Sequence, residues 1–271
     1  MRLPHLLLLF ALLFACAESR CHAAKAGSTN PPATSKRADA TSSVVFLLHG
    51  LGKGPLDMTP MEMTLRHHGW EVVNWRYNST QKTIDELATD LASALVPYAD
   101  RLVDFVGHSM GGIVVRTYLQ RYHPTNAGRL VMIGSPNHGA TIAGMLGDLM
   151  AYRLMLGPAG QQLRRDSRFL SELGPPTCEF GIIAGGRGDG VGILKLLPGD
   201  NDGIVEVEST RLPGAADFVL VPFMHAALPM MPLVVRETEY FLRTGEFAHD
   251  ARRAAEAARV PKVRRALPLE P

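Results

Sequence analysis

The sequence has few cysteines, almost no net charge and no apolar run long enough to cross a bilayer, and each shortage excludes a class of protein. Only Cys16, Cys21 and Cys178 occur among 271 residues, and their placement offers no metal site. The apolar run at residues 6–15 is too short for a membrane-spanning helix. A net charge of +2 argues against a nucleic-acid-binding protein. With 46% hydrophobic residues, the chain is expected to form a globular core.

The N-terminus has the pattern of an export signal. One basic residue, Arg2, precedes the apolar run, and small and polar residues follow it, which predicts a signal peptide over residues 1–23. A second interpretation stays open, because residues 13–16 resemble an imperfect lipoprotein box that would leave Cys16 as a lipidated N-terminus. The protein is therefore expected to be exported, either as a periplasmic or secreted protein or as a lipoprotein anchored through Cys16.

The rest of the chain divides into a linker, a domain and a tail. Residues 24–42 are rich in Ser, Thr, Pro and Ala and predict a flexible linker before a single domain at 43–247. The basic tail, residues 248–271, is expected either to be solvated or to hold weakly to anionic membrane surfaces.

Cleavage near Ala23 would leave Cys178 as the one cysteine of the mature protein, whereas the lipoprotein form would keep Cys21 and allow it to pair with Cys178. The oligomeric state cannot be derived from the sequence.

Short apolar runs alternate with segments of helical periodicity, which predicts an α/β fold with a mostly parallel central sheet and helices on both faces. Strands are expected at residues 44–48, 71–77, 102–106, 130–133, 180–184 and 218–221. Helices are expected at 58–68, 83–99, 110–122 and 233–242. In such a sheet, ligands bind beyond the carboxyl ends of the strands.

The most informative stretch follows the third predicted strand. Residues 107–111, Gly-His-Ser-Met-Gly, match G-x-S-x-G with a strand before and a helix after. A sharp strand-to-helix turn exposes the hydroxyl of Ser109 and requires very small neighbours, which Gly107 and Gly111 supply. The helix also directs its free N–H groups toward whatever Ser109 attacks. Ser109 is therefore the predicted nucleophile.

A serine nucleophile needs a base and an orienting carboxylate, which follow it along the chain in proteins with this elbow. The downstream histidines are His123, His138, His225 and His249. His225 is favoured because it comes directly after the last predicted strand, where a loop returns over the nucleophile. His138 is the alternative.

Three aspartates are candidates for the acid, namely Asp189, Asp200 and Asp202. Asp202 is favoured because it lies on an Asn-Asp-Gly turn followed by apolar residues that would bury a carboxylate beside an imidazolium. Asp189 stays open, since it lies nearer to the end of the fifth strand in a long Gly-rich stretch.

Two backbone N–H groups are needed to stabilise an oxyanion, one from Met110 and one from the glycine-rich loop at residues 48–54. This His-Gly loop, the Gly-His-Ser-Met-Gly elbow, the Asn-Asp-Gly-Ile-Val turn and the late histidine resemble the lipase and esterase branch of the α/β-hydrolase superfamily. Among its members, bacterial triacylglycerol lipases are the most similar. The resemblance covers roughly residues 43–245.

The resemblance implies an α/β-hydrolase fold and a serine carboxylester hydrolase that forms an acyl-enzyme on ester or lipid substrates. It implies a triad of Ser109, Asp202 and His225, an oxyanion hole formed by the Leu51 and Met110 amides, and no cofactor or metal. An acyltransferase and a thioesterase use the same intermediate and remain alternatives, as does a binding domain without catalysis.

Residues 140–176 lie between the fourth and fifth predicted strands, where this family often inserts a lid. Leu146, Leu149, Met150 and Leu154 are expected to share one helical face. This face either packs on the core or overhangs Ser109 as a lid, and both interpretations stay open.

Overall fold

A parallel sheet organises the chain. The computed structural model describes residues 43–148 and 150–249, without the side chains of residues 151–155. Within them, six strands pair in the order β2-β1-β3-β4-β5-β6, all in parallel. They are β1 (Val44–Leu48), β2 (Glu71–Asn74), β3 (Val103–His108), β4 (Ala127–Ile133), β5 (Phe180–Gly185) and β6 (Asp217–Val221). The predicted signal peptide with Cys16, the linker and nearly all of the tail lie outside the described residues.

Eight α-helices connect or cover these strands in the described part of the chain. They are α1 (Thr59–His67), α2 (Ile84–Leu95), α3 (Met110–Tyr122), α4 (Thr141–Leu146), α5 (Met150–Gln162), α6 (Arg168–Glu172), α7 (Val207–Thr210) and α8 (Pro232–Thr244). Three 3₁₀ turns add to them at Pro55–Met58, Val96–Tyr98 and His225–Met230. No helix in residues 43–148 and 150–249 is long and apolar enough to span a bilayer.

The sheet has a hydrophobic core on each face, as predicted. Alternate residues of β1 point to opposite faces, so Phe46 packs with α2 and α3 while Leu47 packs with α1 and α8. All five residues of β1 are buried because helices cover both of its faces. The predicted α/β sheet with helices on both faces is confirmed.

Two predicted elements are longer than the observed ones. The helix expected at residues 83–99 ends at Leu95 and continues only as a 3₁₀ turn, since Pro97 cannot donate to the preceding turn. Its N-terminus agrees with the expectation because Thr83 and Glu86 form a capping box. The strand expected at 71–77 ends at Asn74, where its pairing with β1 ends.

The predicted apolar face in the lid region is wrong. Leu146 ends α4 and packs, partly buried, beside Ala143, whereas Met150 begins α5 and is exposed. A turn at residues 147–148 separates the two helices, so the two side chains do not share a helical face. Leu149 and the side chain of Leu154 lie outside the described residues. The proposed lid function therefore stays a prediction.

The contact between β5 and α8 generates a stability prediction. A Cβ atom on Gly181 would lie 2.5 Å from a ring carbon of Phe241 and 2.7 Å from one of Phe247. We expect Gly181→Ala to lower the free energy of unfolding by about 1–3 kcal/mol, because the packed rings must shift. Urea denaturation measures this change. Gly144→Ala is the matched control, since a Cβ atom there meets nothing within 4 Å; equal destabilisation by both variants would contradict the packing argument.

Candidate active site

Ser109 lies on a strained turn between β3 and α3. Its φ of 53° and ψ of −123° are unusual for a residue with a side chain. The turn is tight because glycines surround it. A Cβ atom on Gly107 would lie 2.4 Å from the Gly112 nitrogen, and one on Gly111 would lie 2.4 Å from the Leu48 carbonyl oxygen. The glycines of the motif are therefore required by backbone contacts on both sides of the serine.

The imidazole of His225 lies next to the Ser109 hydroxyl. The Oγ–Nε2 distance is 3.0 Å, which is a hydrogen bond. His225 begins the 3₁₀ turn that follows β6, and its backbone N–H donates to the Asp202 carbonyl oxygen at 3.0 Å. Both residues are buried, with 8% of Ser109 and 7% of His225 exposed.

Asp202 is the carboxylate that contacts His225. Its Oδ2 accepts a hydrogen bond from Nδ1 of His225 at 2.7 Å. Its Oδ1 accepts from the backbone N–H groups of Ile204 and Val205 at 3.0 and 2.8 Å. Asp202 is 1% exposed, and these three donors replace the water that a buried carboxylate loses. Ser109, His225 and Asp202 thus form one continuous chain of hydrogen bonds.

Two glycines at strand ends make room for this chain, and the sequence interpretation missed them. A Cβ atom on Gly134, after β4, would lie 3.3 Å from Nδ1 of His225. One on Gly185, at the end of β5, would lie 2.7 Å from Cβ of Asp202. Their signal in the sequence is the position directly at the end of a buried strand, where the carboxyl ends of parallel strands meet.

The structure does not bring the other candidate acids to His225. Asp189 pairs with Arg187 at 2.8 Å, and its Oδ1 accepts from the N–H groups of Gly192 and Val191. These backbone donors, together with the Arg187 charge, lower the pKa of Asp189. The carboxylate of Asp200 accepts three backbone N–H groups of its own loop instead.

Asn201 holds the Gly-rich loop that precedes Asp202. Its Nδ2 donates to the carbonyl oxygens of Val191, Leu194 and Gly199 at 2.9–3.3 Å. Its Oδ1 accepts from the N–H groups of Leu194 and Gly203 at 2.9 and 3.0 Å. Asn201 is fully buried, so these bonds form the interior of the loop.

The remaining candidate histidines lie apart from Ser109. The His138 side chain is exposed, and its backbone N–H donates to the Ser209 carbonyl oxygen. His123 follows the last residue of α3, where its backbone N–H caps the Leu119 carbonyl. His249 binds Asp217 at 2.8 Å, at the first residue of β6.

The predicted oxyanion donors lie on either side of the elbow. Met110 is the first residue of α3, so its N–H has no acceptor within the helix. Leu51 follows Gly50, where a Cβ atom would lie 3.2 Å from Cβ of Ser109. The turn at residues 50–53 therefore passes directly beside the serine.

His108, inside the elbow motif, is a further residue of the site that the sequence interpretation did not single out. It is buried, its ring centroid lies 4.9 Å from that of His225, and its Nε2–H donates to the His225 carbonyl oxygen at 3.0 Å. Burial, together with the nearby His225, places the pKa of His108 well below its usual value. His108 is therefore neutral and supports the loop that carries His225.

Comparison with known proteins finds one matching family model and solved structures of similar fold. The family model of palmitoyl protein thioesterase matches residues 44–165, which is less than half of the chain and includes Ser109. The mature lipase BlEst2 of Bacillus licheniformis aligns with a TM-score of 0.65 and 19% identity, covering 77% of this chain and 95% of that one. No curated protein matches the sequence.

Two further solved structures share the architecture. A gene product of Listeria innocua has a TM-score of 0.54 and 18% identity, covering 74% of this chain and 94% of that one. The metagenomic carboxyl esterase MGS0156 has a TM-score of 0.54 and 16% identity, covering 74% and 69%. The chain therefore has the α/β-hydrolase fold, which it shares with lipases and esterases.

The role of Asn201 can be tested by its removal. Asn201→Ala removes the side-chain partner of three carbonyl groups and two N–H groups of the loop, so we expect a loss of about 2–3 kcal/mol in the free energy of unfolding. Chemical denaturation followed by fluorescence measures it. Asp189→Asn is the control in the same loop: it keeps the Oδ1 acceptor, and we expect a change within about 0.5 kcal/mol. An unchanged free energy of unfolding in Asn201→Ala would contradict the role of Asn201 in holding this loop.

Proposed function

We propose that the protein is a serine hydrolase that cleaves carboxylic ester bonds through an acyl-Ser109 intermediate. The observation that carries the proposal is the hydrogen-bonded chain from Ser109 through His225 to Asp202 on a strand-to-helix elbow. A serine hydroxyl is a weak nucleophile unless a base removes its proton, and a base is oriented when a carboxylate holds its other nitrogen. His225 and Asp202 meet these two requirements through direct hydrogen bonds.

In the proposed reaction, Ser109 Oγ attacks the ester carbonyl carbon while its proton moves to Nε2 of His225. Asp202 stabilises the imidazolium through Nδ1–H. The tetrahedral intermediate collapses, the bond to the alcohol oxygen breaks, and the alcohol leaves with the proton from Nε2. Water then attacks the acyl-enzyme with His225 again as base, which releases the acid and restores the Ser109 hydroxyl.

The Leu51 and Met110 amides are the proposed oxyanion donors. Two other N–H groups of the turn at residues 50–53 are used within the protein: Gly52 N–H donates to Oγ of Ser79 at 3.0 Å, and Lys53 N–H donates to the Gly50 carbonyl at 3.3 Å. Leu51 N–H has no acceptor in residues 43–148 and 150–249. It is therefore free to bind a developing oxyanion beside Ser109.

Apolar side chains near Asp202 favour an acyl group as the substrate. Ile204 and Val205, which follow the acid, pack in one cluster with α4 and with Leu156 of α5. Leu156 also reaches the oxyanion turn, where its Cδ2 lies 3.5 Å from the position of a Cβ on Gly52. The cluster thus connects the acid turn with the oxyanion turn through the segment proposed as a lid, and an aliphatic chain bound there would be removed from water.

A thioesterase is the second candidate, because the matching family model is that of palmitoyl protein thioesterase. The same acyl-enzyme forms from a thioester, with a thiol as the leaving group. An acyltransferase differs only in the acceptor, which would replace water in the second step.

The triad assignment generates a prediction about turnover. We expect Ser109→Ala and His225→Ala each to lower kcat by about 10⁴–10⁶, and the double variant to lose little more, because the two side chains act as a unit. Asp202→Asn removes the charge that stabilises the imidazolium and is expected to lower kcat by about 10³–10⁴. Initial rates on p-nitrophenyl esters measure these changes.

Asp189→Asn is the matched control, since the same substitution is made in an exposed carboxylate of the same loop, and we expect nearly unchanged turnover. Labelling by a fluorophosphonate should require Ser109 and should be blocked in Ser109→Ala. Full activity of Ser109→Ala would overturn the proposed function. Loss of activity in Asp189→Asn with a silent Asp202→Asn would overturn the acid assignment alone.

A substrate panel separates the candidates. We expect hydrolysis of p-nitrophenyl esters, with kcat/KM rising as the acyl chain lengthens, because the apolar cluster contributes about 0.8 kcal/mol per buried methylene. Acyl thioesters of matched chain length form the second series. Faster cleavage of every thioester than of its ester would favour the thioesterase. Product that appears only when an alcohol acceptor is added would identify an acyltransferase.

A further inference from the structure

The carbonyl group of Gly50 has a fixed direction. Nδ1–H of His49 donates to its oxygen at 2.9 Å, and Lys53 N–H donates to the same oxygen at 3.3 Å across the turn. Gly52 has a φ of 67°, a left-handed conformation that allows the chain to close this turn. Two donors therefore hold the Gly50–Leu51 peptide group in one orientation.

A trans peptide group is planar, so its carbonyl and its N–H point in opposite directions. Holding the Gly50 oxygen on the side of the His49 ring therefore directs the Leu51 N–H away from that ring. We propose that His49 is a positioning residue that aims the Leu51 amide at the oxyanion formed on attack by Ser109. This inference rests on the proposed function and adds to it a side chain that touches no substrate.

His49 is itself held firmly. It is fully buried, and its ring stacks on Tyr77 with a centroid distance of 4.1 Å and an angle of 11°. Tyr77 stacks in turn on Trp75 at 4.7 Å. The Tyr77 hydroxyl also donates to the His49 carbonyl oxygen. The segment after β2 thus fixes both the ring and the backbone of His49.

The proton of the imidazole lies on the nitrogen that the proposal requires. Burial lowers the pKa of His49, so the ring is neutral and carries one N–H at physiological pH. Nε2 has no hydrogen-bond partner in the described part of the chain, whereas Nδ1 faces the Gly50 oxygen. The tautomer with the proton on Nδ1 is therefore the one that satisfies this carbonyl.

A purely structural role would make a different prediction. If His49 only filled space beneath the turn, any substitution of equal size would have the same effect on catalysis. If His49 acts through its Nδ1–H, a substituted side chain with a donor at that position should preserve catalysis. Asn and Leu have nearly the same shape, and only Asn carries a donor, close to where Nδ1 lies in histidine. His49→Asn and His49→Leu are therefore a matched pair.

The readout is the preference for an oxoester over the thionoester of the same acid and alcohol. Sulfur is a weak hydrogen-bond acceptor, so an aligned oxyanion donor favours the oxygen substrate, and a misdirected donor loses this preference. We expect His49→Leu to lower kcat on the oxoester by about 10–100-fold with little change in KM, and to lower the oxoester preference by about tenfold. We expect His49→Asn to recover both to within about threefold.

Tyr77→Phe provides a second test that keeps the ring stack and removes only the hydroxyl. We expect this variant to lose less of the oxoester preference than His49→Leu, by about threefold. Thermal melting of each variant shows whether it is folded. Equal preference in His49→Asn and His49→Leu would overturn the inference. If neither His49→Asn nor His49→Leu folds, Tyr77→Phe decides, and an oxoester preference equal to that of the wild-type protein would overturn the inference. Absence of Ser109-dependent ester cleavage in the wild-type protein would overturn the proposed function instead.

Discussion

The close approach of β3 and α3 is the constraint on which the site depends. The backbone at Gly107 touches that of Gly112, and Gly111 touches the end of β1, so no side chain fits between them. This packing holds Ser109 in a conformation that is disfavoured by about 1–3 kcal/mol. The surrounding strands are fully buried, and their rigid core is what makes a strained turn sustainable. The hydroxyl, the first N–H groups of α3 and the oxyanion turn are thereby fixed relative to one another.

A carboxylate buried beside a histidine needs hydrogen-bond donors in place of water, and the turn at residues 202–205 supplies two of them. Asp202 is inaccessible to water, yet both of its oxygens accept hydrogen bonds, from two backbone amides and from the imidazole. The backbone of Asp202 in turn accepts the N–H of His225. Asp202 and His225 are therefore connected through side chains and main chain, so that movement of one loop shifts both groups together.

The sequence predicted the sheet and the elbow because their signals are local. A continuous apolar run identified β1, and glycines two positions from Ser109 identified the turn between β3 and α3. The helix α3 begins and ends at the predicted residues. The end of β2 was misplaced because an edge strand ends where its neighbour stops pairing. The helical face from Leu146 was wrong because a turn at 147–148 divides it. The contacts of Gly134 and Gly185 with His225 and Asp202 join residues far apart in the chain, so only the positions at strand ends mark these glycines in the sequence. The bonds of Asn201 stay within its own loop but follow neither helical nor strand periodicity.

The long Gly-rich stretch before Asp202 left Asp189 open as a candidate acid, and the structure shows how this stretch is closed. The free energy of closing a loop rises only slowly with length, by about 0.6 kcal/mol per doubling. The position of the carboxylate is fixed instead at the end of the loop, where Asp202 N–H donates to the Val205 carbonyl and Asn201 fills the interior. Contacts inside the stretch fix its path as well, because Asn201 bonds Val191, Leu194 and Gly199 and Asp200 accepts from Arg187 and Gly188. Proximity to the strand in sequence therefore did not identify the carboxylate that contacts His225, whereas the short apolar turn that buries Asp202 did.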